Sequence, residues 1–467
     1  MQTVIKITLL IAAAVANCCL GSANKEKYHD IDPGKPLFLT TLIRNATVSR
    51  QQIKNFARVN GSQFLGVESY AGYLTVEEKY NSSLYFWYFP AEQNADKAPV
   101  VLWLQGGPGS SSLIGLFIEN GPLQINEQGK LEKRNYTWST NHNIIYVDNP
   151  VGTGFSTTDH CHGYARNQVD VAVNLYEAIT QLYELFEWKN SSGFWITGES
   201  YAGKYVPALA YYMHKMQTTT ECKIRIPLKG VAIGNGLSDP LNQLKYGDYL
   251  YQLGFIDDNG LYKFHSAEES AEICIQSGNM ECAFEIFDSL ILGDLPAGSL
   301  YKNLTGFKSY YNYLKADDEL AVLVNRMKVF LQANATRRAI HVGNMLFHDT
   351  DKVNKVKKHL RKDYMDTVAP LVEEILKYYT VCVYSGQLDV IVPYTLSLGY
   401  LKLLDFPGAE RYRTAARKIW RMDGDIVGYF KEAGRLIEIM IRNAGHLAPY
   451  DQPKVLYEMI TRLTHNY

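Results

Sequence analysis

Phe194-Trp195-Ile196-Thr197-Gly198-Glu199-Ser200-Tyr201-Ala202-Gly203 is an apolar run that breaks at glycine, presents a serine and enters the helix-like stretch 201–216. A short apolar run closed by a turn reads as a buried strand. A strand turning sharply into a helix around a serine exposes that hydroxyl above a sheet. The general form of such an elbow is G-x-S-x-G; here Ala202 takes the second small position and Gly203 follows it. Alanine is still small enough for tight packing there.

Five more runs of this kind lie on either side. Residues 100–104, 144–147, 230–233, 381–384 and 436–441 are, like 193–197, short, apolar and β-rich, and each ends in a Gly- or Asp-containing turn. Such near-continuous hydrophobic runs are typical of parallel strands covered on both faces. Helix-like stretches such as 169–187 alternate with them, so the pattern predicts a doubly wound, mostly parallel α/β sheet of the α/β-hydrolase fold. From about Leu237 to Asp363 the pattern becomes polar and amphipathic with two cysteines. This predicts an inserted, mainly helical cap over 238–363 between core segments 24–237 and 364–467.

Ligands of open α/β sheets bind beyond the carboxyl ends of the strands, which selects the turns 105–109, 148–154, 198–203, 386–389 and 443–446. A serine hydroxyl needs an imidazole to take its proton, and the imidazole needs a carboxylate to fix its tautomer. Ser200, Asp389 and His446 each follow one of these runs, in the chain order this fold uses. They are the candidate nucleophile, orienting carboxylate and base. Gly152 and Gly154 also follow a strand, but the third glycine of a dinucleotide-binding G-x-G-x-x-G is missing.

The chain has 467 residues with 47 Lys and Arg against 48 Asp and Glu, a formal net charge of -1. That balance gives no basic field for nucleic acid or an acidic membrane. At the N-terminus, Lys6, the apolar run 7–16 and the small residues Gly21, Ser22 and Ala23 follow the grammar of a signal peptide over 1–23. No stable membrane insertion is expected, because that run is too short to span and no other stretch does. N-x-S/T acceptor sites at Asn45, Asn60, Asn81, Asn135, Asn190, Asn303 and Asn334 agree with a secretory route. After Cys18 and Cys19 leave with the leader, Cys161, Cys222, Cys274, Cys282 and Cys382 remain. Cys274 and Cys282 are the expected disulfide, and Cys382, in an apolar run, is the expected buried thiol. No metal-binding or redox cysteine motif is read, and no cofactor is expected.

Trp103-Leu104-Gln105-Gly106-Gly107-Pro108-Gly109-Ser110-Ser111-Ser112-Leu113, the 198–203 block and Asn443-Ala444-Gly445-His446 resemble the serine carboxypeptidases. Blocks 148–156 and 384–389 look like further family segments, and the resemblance runs from about Leu37 to the C-terminus. Gln105 and the block 198–207 look most similar to the vitellogenic-like carboxypeptidases. The resemblance implies an oxyanion hole from Gly107 and Tyr201, and a hydrogen-bonding cluster for the substrate carboxylate. That cluster comprises Glu119 and Glu199 with Gln105, the Gly106 N–H and Trp103. Two carboxyls in one site do not both ionise without a large penalty, so one should keep a proton and binding should favour acidic pH. Gln105 replaces the usual Asn, and Ser110 stands where Cys is common.

The expectation is therefore a peptidase in the secretory pathway, secreted or lysosomal, that releases single residues from peptide or protein C-termini through an acyl-enzyme on Ser200. One alternative keeps the same site but passes the acyl group to an alcohol or amine, as an acyltransferase that excludes water from the pocket. The other, of a different class, is a protective or storage protein whose surface matters more than its catalysis, and the intact triad argues against it. Residue preference and oligomeric state are not encoded in any motif read here.

Overall fold

The computed structural model describes residues 31–220, 222, 224–348 and 355–466; the expected leader, with Cys18 and Cys19, lies outside them. The strands are β1 (Tyr70–Glu77), β2 (Ser82–Phe89), β3 (Val100–Leu104), β4 (Leu123–Ile125), β5 (Leu131–Lys133), β6 (Asn143–Val147), β7 (Phe194–Glu199), β8 (Leu228–Gly234), β9 (Thr380–Gly386), β10 (Lys418–Met422), β11 (Asp425–Ala433) and β12 (Leu436–Ile441). Ten of them form one sheet in the order β1-β2-β6-β3-β7-β8-β9-β12-β11-β10, while β4 and β5 form a separate hairpin. The six central strands, β6 to β12 in that order, pair in parallel. An antiparallel pair closes each edge. The fold is that of the α/β hydrolases, and its six parallel strands are the six runs read in the sequence.

Alternation along the strands sends side chains to two cores. Leu102, Leu104, Ile145, Ile196, Val231 and Val383 join a core with the helices Gln168–Phe186 and Ala202–Gln217. Val101, Trp103, Tyr146, Trp195, Ala232 and Tyr384 join the opposite core with the C-terminal helix Pro453–Asn466. Between β8 and β9 the described residues form helices and turns. This segment serves both faces: Phe264, Phe284 and Tyr301 enter the first core, whereas Met327, Leu331 and Ile340 enter the second.

Cys274 and Cys282 form a disulfide that ties the helix Asp258–Gln276 to Met280–Phe287. Cys382 is a free, fully buried thiol, pushed up to about 12 by burial. All seven N-x-S/T asparagines are exposed. Among the described residues no helix is long and apolar enough to cross a membrane.

Candidate active site

Four neighbouring strands, β7, β8, β9 and β12, deliver Ser200, Asn235, Asp389 and His446 to one end of the sheet, each just past its strand. Ser200 has φ 65, a left-handed conformation that non-glycine residues rarely adopt. The turn is held by its backbone: Ser200 N–H donates to Gly234 O at 3.0 Å, and Ser200 O accepts from Gly203 N–H at 2.9 Å and Leu237 N–H at 3.0 Å. The Gly-rich turn after β3 lies directly against it. A methyl group on Gly106 would sit 2.5 Å from Tyr201 N and 2.6 Å from Ser200 Cβ, so only glycine fits this approach.

His446 Nδ1 bonds Asp389 Oδ2 at 2.8 Å, with both side chains buried. With the Nδ1 hydrogen directed at the carboxylate, Nε2 is the basic nitrogen. Asp389 Oδ2 also accepts from Asn235 Nδ2 at 2.6 Å, and Oδ1 from the N–H groups of Ile391 and Val392 at 2.9 and 3.2 Å. A side chain on Gly386 would strike Gly445 O at 2.0 Å, which shows how closely the Asp389 and His446 turns pack.

The carboxyl cluster lies beside this group. Trp103 Nε1 donates to Gln105 Oε1 at 2.9 Å, and Gln105 Nε2 donates to Glu199 Oε1 at 3.0 Å. Glu119 enters on a wide π-helical turn, Gly115–Glu119, and interacts with the Glu199 side chain. Both oxygens of Glu119 and Oε2 of Glu199 are buried without a hydrogen bond of regular geometry among the described residues, with the Gln105 side chain also close enough to act on Glu119. Burial raises the Glu119 carboxyl to about 7. Glu199 is held well above the usual carboxylate range, first by burial and then by the charge of Glu119. Such a pair shares a proton.

Several supports were not identified as site residues in the sequence. Asn235 fixes Asp389, and the motif Gly234-Asn235-Gly236 at a strand end was the available signal. The segment after β8 supplies Tyr311, whose carbonyl accepts from His446 N–H at 2.6 Å and whose ring lies 5.5 Å from the imidazole. Tyr310 O accepts from Val390 and Ile391 N–H at 3.2 and 3.1 Å, so one tyrosine pair touches both the Asp389 and His446 turns. Asp363 accepts from Tyr201 OH at 2.5 Å and Gln168 Nε2 at 2.6 Å, and its carbonyl accepts from the fully buried Lys204 ammonium at 2.5 Å. Asp148, pushed up to about 6 by burial, joins the 105–113 and 148–156 blocks through Ser111 Oγ at 2.5 Å, Ser112 N–H at 3.0 Å and Phe155 N–H at 2.8 Å. A cleft of about 450 Å³ opens beside Gly107, lined by Pro108, Ser110, Tyr310, Tyr311 and Leu320.

Residues 60–466 match the serine carboxypeptidase family throughout. The chain belongs to that family. It is 47% identical over 447 residues to a venom serine carboxypeptidase of Apis mellifera, covering 95% of this chain and 94% of the relative. Identity is also 47% with the vitellogenic carboxypeptidase of Aedes aegypti (93% and 91% covered) and 43% with the human probable serine carboxypeptidase CPVL (92% and 90% covered). The fold matches that of the prohormone-processing carboxypeptidase Kex1Δp of Saccharomyces cerevisiae, with a TM-score of 0.73 at 20% identity over 88% of this chain and 96% of the yeast chain. The family assignment makes this protein a serine-type hydrolase of the carboxypeptidase class.

Proposed function

We propose that this serine carboxypeptidase removes single residues from the C-termini of peptides through an acyl-enzyme on Ser200, and does so best at acidic pH. The observation that carries the reading is the donor-poor Glu119–Glu199 pair buried beside the elbow. In the proposed reaction the substrate's terminal carboxylate meets this pair, Gln105, the Gly106 N–H and Trp103, and the shared proton is donated to it. His446 Nε2 takes the Ser200 proton as Oγ attacks the last peptide carbonyl. Asp389 holds the imidazole in register.

Gly107 and Tyr201 N–H groups receive the developing oxyanion. The packing of the Gly106 turn against Tyr201 N supports that assignment. His446 then protonates the departing amine, water deacylates Ser200, and the product acid leaves. The segment 238–363 acts as the cap that shapes the pocket, which agrees with Tyr310 and Tyr311 lining the cleft. Seven exposed acceptor asparagines, the disulfide and relatives named for venom and for vitellogenesis support a secreted or lysosomal setting.

The test is cleavage of a peptide ending in a free carboxylate beside its amidated twin, with the Ser200→Ala variant as control. Release of the last residue from the free acid alone, absent in the variant, is expected. Equal cleavage of both peptides would remove the carboxylate clamp, and cleavage surviving in the variant would remove Ser200 as nucleophile.

A further inference from the structure

We propose that His160, Cys161 and His162 form a surface site for a single zinc-class cation, separate from the catalytic centre. Cys161 and His162 open the short helical turn Cys161–Gly163 and His160 caps it; all three are exposed, and their donor atoms lie within 4.8 Å of one another. The two Nδ1 atoms are 3.0 Å apart, and Cys161 Sγ is 3.9 Å from that of His160 and 3.7 Å from that of His162. Zinc binds imidazole nitrogen at about 2.0–2.1 Å and thiolate sulfur at about 2.3 Å. A donor triangle of these edges has a point roughly 2.1 Å from all three atoms, so one ion reaches every ligand without moving the backbone.

The surroundings hold the donors in place. The imidazole rings stack at 4.8 Å with 15° between their planes, and Tyr80 stacks on His160 at 5.5 Å and on His162 at 6.2 Å. Arg166 fixes the turn by donating to Cys161 O at 3.2 Å and Tyr164 O at 3.3 Å. His160 Nδ1 accepts the backbone N–H of His162 at 3.1 Å and lies 3.0 Å from His162 Nδ1, so its lone pair is unprotonated and the ion takes the place of these two contacts.

Two neutral imidazoles and a thiol form a borderline-to-soft set that selects zinc over calcium or magnesium. Binding converts the Cys161 thiol to thiolate and releases its proton to solvent. Three protein ligands leave a fourth tetrahedral position for water. Three adjacent residues lack the spaced pairs by which zinc motifs are recognised, so no motif marks this site.

The experiment is calorimetric titration of the reduced, chelator-treated mature protein with zinc chloride, followed by cobalt substitution read as thiolate-to-cobalt absorption. One equivalent, the charge-transfer band and a proton released on binding are expected in the wild type. Cys161→Ser and His162→Gln, both exposed turn variants, should each weaken this binding at least tenfold and remove or shift the band. Peptidase activity should survive in both and attest their folding. Failure to bind one equivalent, or equal binding by wild type and both variants, would overturn the proposal.

Discussion

Asp389 and the Glu119–Glu199 pair, buried carboxyl groups of one site, are treated in opposite ways by their surroundings. Asp389 accepts four hydrogen bonds, from His446, Asn235 and two backbone N–H groups. Glu199 accepts only the Gln105 amide, and Glu119, beside Gln105 and Glu199, accepts no hydrogen bond of regular geometry among the described residues. The donor-rich carboxylate is a fixed fixture that orients a base. The donor-poor pair retains a proton, and the O–H it forms is the donor that the proposed mechanism offers to another carboxylate. In the proposed mechanism the same side-chain chemistry serves orientation in one place and recognition in the other, and the hydrogen-bond supply differs to match.

The strongest way to break the donor-rich side is Asp389→Asn, whose amide would turn an N–H towards a donor or present the wrong face to His446. We expect kcat to fall about 10,000-fold with KM little changed. A second donor-rich carboxylate gives the next effect. Asp363→Asn weakens the partner of Tyr201 and of the buried Lys204, and should lower unfolding stability by about 3 kcal/mol in a denaturant titration.

The donor-poor side is sharpened by Glu199→Gln. This variant keeps an acceptor for Gln105 but removes a titrating group, so KM for free-acid peptides should rise tenfold or more while amidated peptides are unaffected. Stability carries the same signature. Burial raises Glu119 from 4.5 to about 7, so its contribution to stability is full below 4.5 and is lost as pH rises through 7. Thermal melting temperature should therefore fall between pH ~5 and ~8, and fall less in Glu199→Gln, where the pair no longer competes for one proton. The smallest effect is expected from Gln105→Asn. Its shorter arm gives up the 3.0 Å contact with Glu199, for a change in KM of about fivefold.

Legibility in the sequence followed burial. The six central strands are covered on both faces and so read as plain apolar runs. The edge strands did not, each for its own reason: β10 and β11 mix charged and apolar residues and are partly exposed, and β1 carries Gly72 and Thr75. Strand β2, although fully buried, starts with two serines and is dominated by aromatics. Ser200, Asp389 and His446 were legible because each sits at a run's end in an ordered series. Glu119 was reached only through family resemblance, since its neighbours are apolar and its π-helical turn has no sequence signature. Tyr311 and Asp363 were not legible, because they meet the site through tertiary packing of a segment whose helices carry no active-site pattern. The segment's split between two cores was hidden for the same reason.

The most direct test of the central claim is the ratio of kcat/KM for a free-acid peptide to that for its amidated twin, measured on the wild-type protein from pH ~5 to ~8. Because both substrates use the same serine and imidazole, the ratio isolates the carboxyl pair. The account predicts a high ratio at acidic pH that falls towards pH ~8 as the coupled Glu119–Glu199 pair, raised by burial, loses a proton. A ratio that stays flat across that range would contradict it.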